Sequence, residues 1–341
     1  MVLGAQSLES STKEEKKIMN CILIVSDGKP GHFNQSVALC KHLGWDFETV
    51  EVHYKNRIHK ALSYLLDRFG IYTEKLFNSA LNLEKQNIDL VVSTGSTTYY
   101  PNKLLARKLD CPNVAILHPR GYRLNFSHIF CPFYDHPPRR KNITELPLNL
   151  CAAIPSFFQE KSKEFQEKHS IKKAAVGIII GGTNAVSELD PETLQRQLEE
   201  IFALTKGLEH WVSTSRRTPP QVETLLAEFD FDYTLINSKE AYNPIPAFIQ
   251  LCDRLFVTSD SASMLSECAS FGTAKVEVLM NRQLKHPNKF EELIRKLEST
   301  GAVHVFDGSL GEASVKVDLK SIIEKCLAPL FLIQGGNEQK E

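Results

Sequence analysis

The chain has 341 residues, a length that suits about two domains, and its 40 Lys and Arg against 41 Asp and Glu leave a net charge of -1. That balance points to neither a nucleic-acid-binding protein nor an acidic tail. No apolar stretch reaches the roughly 20 residues that span a bilayer, and the eight cysteines lie scattered without C-x-x-C pairs, the pattern of buried thiols in a reducing compartment with no structural metal.

Residues 1–20 carry charge where a signal peptide would need an apolar region, and read as a disordered lead-in to a cytoplasmic protein. Apolar runs of strand length then recur at Ile22 to Val25, Leu90 to Val92, Val114 to Leu117, Val176 to Ile180, Trp211 to Val212, Leu255 to Val257 and Val276 to Leu279. Between them the periodicity predicts helices over Gln35 to Leu43, Pro101 to Leu109, Pro191 to Leu204, Gln221 to Phe229 and Ser263 to Phe271. Such alternation specifies α/β units with parallel sheets. The series runs twice, across residues 21–160 and 173–333, with the boundary near 155 to 172 and a polar tail from 334 to 341. Lys60 to Glu84 reads as an amphipathic helix after a basic stretch, which suits core packing or a membrane surface.

Several strands end in small polar residues just before a helix, at the sheet edge where open α/β folds bind ligands. After the first comes Ser26-Asp-Gly-Lys-Pro-Gly-His-Phe-Asn-Gln-Ser36, in which Gly28, Gly31 and Asn34 could hold a ligand or only turn the chain, and His32 or Asp27 could take a proton from a hydroxyl. Thr94, Ser96, His118 and Arg120 fall at later strand ends of the same unit and could line the acceptor side, or serve only as loop structure. In the second unit Gly181-Gly-Thr-Asn184 opens from a buried strand, so bare amides could cradle phosphate. Ser215, Arg216 and Arg217 precede two prolines and could present guanidinium to a diphosphate. Ser259, Ser261 and Ser263 supply capping chemistry, and Glu267 lies one helical turn beyond Ser263, where a carboxylate can accept from a ribose diol.

The segments "DGKPGHFNQS", "IIIGGTN", "STSRRTPP", "NPIPAFIQLCDRLFVTSDSASMLSECASFG" and "KFEELIRKLESTGAVHVF", in that order over residues 20 to 306, resemble the mitochondrial fission Elm family and its bacterial relatives, which are treated as glycosyltransferases. The resemblance implies a GT-B fold, with two Rossmann-like units facing across a cleft. A more distant likeness is to the peptidoglycan N-acetylglucosaminyltransferase, and by it Gly31-His32 faces the acceptor and Glu267 the donor ribose. Gly272-Thr-Ala274 stands where the family carries Gly-Lys-Pro. The expected activity is transfer of a sugar from a nucleotide-diphosphate-sugar to a glycan or lipid-linked acceptor, without cofactor or metal, at a membrane surface or free of one. Two alternatives stay open: an epimerase of the same fold, and an adaptor without turnover, since plant Elm proteins are associated with recruiting a dynamin-related protein.

Overall fold

The first six strands form one parallel sheet, and the reason is legible in their composition. β1 (Cys21–Ser26), β3 (Leu90–Thr94), β4 (Asn113–Ile116) and β5 (His128–Pro132) are almost wholly buried, which demands apolar side chains on both faces. β2 (Asp46–Glu51) sits at the edge and alternates between more and less exposed positions, and β6 (Ile143–Leu146) closes the other edge. The order is β2-β1-β3-β4-β5-β6, with Ile22 beside Leu90 and Phe47. The connecting helices are α1 (Pro30–Leu43), α2 (Arg57–Arg68) and α3 (Tyr99–Leu109), and α4 (Pro155–Lys168) follows β6. A computed structural model describes residues 20–78, 87–151 and 154–332. All but Asn20 of the expected lead-in, the expected tail at 334–341, and residues 79–84 of the expected helix lie outside the described residues.

The second unit contains β7 (Ala175–Ile180), β8 (Ser187–Glu188), α5 (Pro191–Leu204), β9 (Glu209–Thr214), α6 (Pro220–Leu226), β10 (Tyr233–Leu235) and α7 (Ile245–Leu251). It continues with β11 (Arg254–Thr258), α8 (Ala262–Ser270), β12 (Lys275–Leu279), β13 (Arg282–Gln283), α9 (Lys289–Ser299), β14 (His304–Val305) and α10 (Leu319–Leu332). Its parallel sheet runs β10-β9-β7-β11-β12-β14, while β8 and β13 form a small antiparallel pair. Both units are thus doubly wound, and their chain order reverses between β1 and β3 in one and between β7 and β11 in the other. Loops at such reversals open a crevice beyond the strand ends. All the strand-length runs read from the sequence are strands, and the two-unit GT-B arrangement holds.

The chain passes between the units twice. Phe165 of α4 is fully buried and its ring lies 5.1 Å from Trp211 and 4.9 Å from Tyr233. α4 therefore packs with the second sheet. α10 returns to pack on α1, with Trp45 and Phe331 rings 4.8 Å apart. No helix among the described residues is long and apolar enough to cross a membrane.

α2 turns its apolar face outward. Its buried positions are Ser63 and Asp67, while Ile58, Leu62, Leu65 and Phe69, spaced along one face, are 76%, 39%, 54% and 67% exposed among the described residues. Asp67 tolerates burial because Lys103 and Arg123 reach it at 3.0 and 3.1 Å. The helix breaks after Arg68, where Gly70 takes φ of +68°, so the expected continuous run to residue 84 is not formed.

Candidate active site

At the first reversal, Pro30 occupies the first turn of α1, Lys29 offers no capping side chain, and no acidic residue follows in that turn. The Asp27 carboxylate, which accepts from the Lys29 N–H at 3.4 Å, supplies the negative charge at the positive end of the helix dipole. Asp27 and His32, expected as alternative bases, are joined: the His32 Nδ1–H donates to the Asp27 carboxylate at 3.1 Å. Only a ring protonated at Nδ1 can make that bond, so the neutral imidazole keeps its lone pair on Nε2. Burial pushes the Asp27 carboxyl upward, yet the His32 bond and the nearby Lys29 ammonium outweigh it and hold it below the ordinary 3.8.

Gly95, at the end of β3, lies against the His32 ring, and a side chain there would collide with it. Its φ of +89° is also one that glycine adopts without strain. The Thr94 to Thr98 segment therefore has a role the sequence did not disclose, which is to make room for the imidazole. Thr94 itself is buried and bonds Ser36 at 2.8 Å, and Gly28 turns the chain at φ of +75°.

Two cavities flank the first turn of α1. One, of about 840 Å³, is bordered by His32, Ser96, His118 and Arg120, which brings together four residues expected at the acceptor side or as base. Tyr64, Tyr99, Tyr122, Tyr134 and Arg123 also line it, and nothing in the local sequence marks them because they come from separate elements. The other, of about 450 Å³, lies between the units and is bordered by Gly31 and Asn34 on one side and Ser263 and Glu267 on the other. The first turns of α1 and α8 thus border one space. Burial pushes the Glu267 carboxyl up to about 7.

The remaining expected donor residues are spent on the loop architecture. Gly181 and Gly182 do not present bare amides: their N–H groups donate to Thr258 Oγ1 at 2.7 Å and to the Asp260 carboxylate at 3.0 Å. The Arg217 guanidinium reaches the same carboxylate at 2.6 Å, so the glycine turn and that arginine do converge, on Asp260. Asn184 donates to the Asp260 carbonyl, Thr183 accepts from Leu189 N–H, Ser215 from Arg217 N–H and Ser259 from Asn281 N–H. Ser261 caps α8 and Arg216 is exposed. None of these borders the cavity that Glu267 borders. Close approach explains both glycines, since a side chain at Gly182 would meet the Arg217 carbonyl and one at Gly181 the Asp260 carboxylate. Gly182→Ala is expected to lower stability by at least about 1 kcal/mol through overpacking, read as a fall in the denaturation midpoint; an unchanged midpoint would show that the loop can shift.

The overall course of the chain is similar to three solved structures. The UDP-GlcNAc 2-epimerase from Methanocaldococcus jannaschii shares 13% identity and a TM-score of 0.47, over 91% of this chain and 92% of that one. The UDP-GlcNAc 2-epimerase from Neisseria meningitidis bound to UDP-GlcNAc shares 12% and 0.47, over 93% and 92%. MurG of Acinetobacter baumannii shares 12% and 0.44, over 91% and 90%. At these identities and scores the likeness carries no information about chemistry. No curated protein sequence matches the chain significantly. The model of the family described as mitochondrial fission ELM1 does match, over residues 30–323, and the chain, which carries that family's segments on two doubly wound units, belongs to the mitochondrial fission ELM1 family.

Proposed function

We propose that this protein moves a sugar from a nucleotide-diphosphate-sugar to a hydroxyl of a glycan or lipid-linked acceptor. The observation that carries the reading is the position of the first turn of α1, which borders a cavity containing Glu267 on one side and presents the Asp27–His32 pair to a second cavity on the other. Donor in the first cavity would set its ribose against Glu267 and its diphosphate near the two helix starts, whose dipoles favour the charge that grows on the leaving group. Acceptor in the second would give its hydroxyl proton to His32 Nε2 while its oxygen bonds the sugar carbon and the diphosphate departs. Asp27 stays ionised and steadies the imidazolium that results.

Incubation with UDP-, GDP- and dTDP-sugars, followed by product analysis, separates the readings. Transfer requires nucleoside diphosphate release matched by sugar on an acceptor. An epimer of the intact sugar nucleotide would replace transfer by epimerisation, and no turnover with any donor would leave the adaptor.

The outward apolar stripe of α2 supports an acceptor held at a membrane. Lys55, Arg57 and Arg68 are exposed around it, and Tyr64, from the same helix, borders the acceptor cavity. A basic rim with an apolar centre suits an anionic lipid surface. Burial of a Leu or Phe side chain contributes about 1.5–3 kcal/mol, so Leu65→Ser with Phe69→Ser is expected to cut binding to phosphatidylglycerol vesicles at least about tenfold. Wild-type protein that ignores such vesicles would remove the membrane from the account.

A further inference from the structure

The larger cavity contains a charge that the chain does not balance. Arg123 is 6% exposed, and its Nε donates to Asp67 at 3.1 Å and its Nη1 to the Ser96 carbonyl at 3.3 Å. Its Nη2 is buried and has no hydrogen-bond partner among the described residues. Asp67 is shared, because the Lys103 ammonium reaches the same carboxylate at 3.0 Å and the Tyr72 hydroxyl donates to it at 2.8 Å. Among the described residues two buried cations therefore face one buried carboxylate, leaving one positive charge in excess. Burial pushes Lys103 below its ordinary value against the pull of Asp67, and the Arg123 guanidinium adds to the push. A buried excess charge with an unused donor is costly unless something anionic meets it.

The guanidinium centre lies 4.4 Å from the Tyr64 ring centre and 5.5 Å from that of Tyr99, contacts that steady it beside the cavity. Tyr99 is buried, and it is Tyr64, Tyr122 and Tyr134, each at least partly exposed, that offer aromatic surface to a sugar ring at this cavity. On the rim, exposed Asp135 opposes an anion and exposed Arg120 offsets it. His32 borders the same space.

We propose that this cavity binds an acidic saccharide, with its carboxylate or phosphate against Arg123, its ring on the tyrosines and a hydroxyl toward His32. That this saccharide is an acceptor rests on the transfer reading; that the cavity takes a sugar acid does not. The excess charge selects the acid group, the aromatic walls select the ring, and the established hydrogen bonds of Arg123 fix where the two meet. A neutral sugar of the same size would leave Nη2 as it stands.

The test is calorimetry on the full chain at fixed ionic strength with glucuronate, glucose 6-phosphate and glucose. At least one of the two acids is expected to bind about tenfold or more tightly than glucose. Glucuronate alone would assign a carboxylate, and glucose 6-phosphate alone a phosphate. Arg123→Gln should abolish the preference, whereas Glu267→Ala should leave it, which keeps this result separate from success or failure of nucleotide binding. Should Arg123→Gln fail to fold, the wild-type chain decides: the preferred acid should move the His32 ring resonances, and glucose at the same concentration should not. Equal binding of all three sugars, no binding of either acid, or a preference that survives Arg123→Gln would overturn the proposal.

Discussion

His32→Ala is expected to slow sugar transfer by about 10²- to 10⁴-fold, the range a positioned general base contributes. The ring is held by the Asp27 carboxylate at Nδ1 and by contact with Gly95, and it borders the larger cavity, the proposed place of the acceptor. Because His32 does not border the cavity between the units, nucleotide affinity should stay within about twofold, a change well under the 1.4 kcal/mol that a tenfold effect represents. The loss should fall on kcat. Asp27→Asn keeps the shape but weakens the hold on Nδ1–H, and it should also lower kcat with little effect on donor KM. Full turnover in His32→Ala would remove His32 as the base.

Glu267→Ala should raise the dissociation constant for the nucleotide about 10- to 100-fold, as loss of a charge-assisted hydrogen bond implies. A pH signature accompanies it. The carboxyl sits near 7 in the folded chain against an ordinary 4.5, so between those values the folded chain holds a proton that the unfolded chain has released. Stability then declines as pH rises from about 4.5 to 7, by up to about 3 kcal/mol for a shift of that size. Glu267→Gln should flatten this decline in denaturant melts. Nucleotide affinity should rise over the same interval, since the ionised carboxylate accepts from both ribose hydroxyls. A flat wild-type pH profile, for stability and affinity alike, would contradict the assignment.

Much of the framework could be read from the residues. Buried strands such as Val176 to Ile180 announce themselves because a parallel sheet covered on both faces needs apolar side chains throughout. Edge strands escape that rule: β2 reads Asp-Phe-Glu-Thr-Val-Glu, and its polar positions hide it. The loops at the two chain reversals were equally visible, since small polar residues follow long apolar runs. Their internal bonding was not. Gly181 and Gly182 read as free amides until Asp260, far along the chain, is seen to accept from Gly182 and from Arg217. Likewise Asp27 and His32 read as competitors, and only the first turn of α1 folds one onto the other. Arg123 had no local signal at all, because its significance comes from Tyr64 and Asp67 of α2 and Lys103 of α3.

Donor binding between the units is the step on which transfer depends, and titration of the folded chain with UDP, GDP and dTDP measures it directly. One nucleotide per chain should bind, with an affinity that Glu267→Ala weakens and His32→Ala leaves in place. Folded protein that binds none of them, or that binds one equally well without Glu267, would contradict the account.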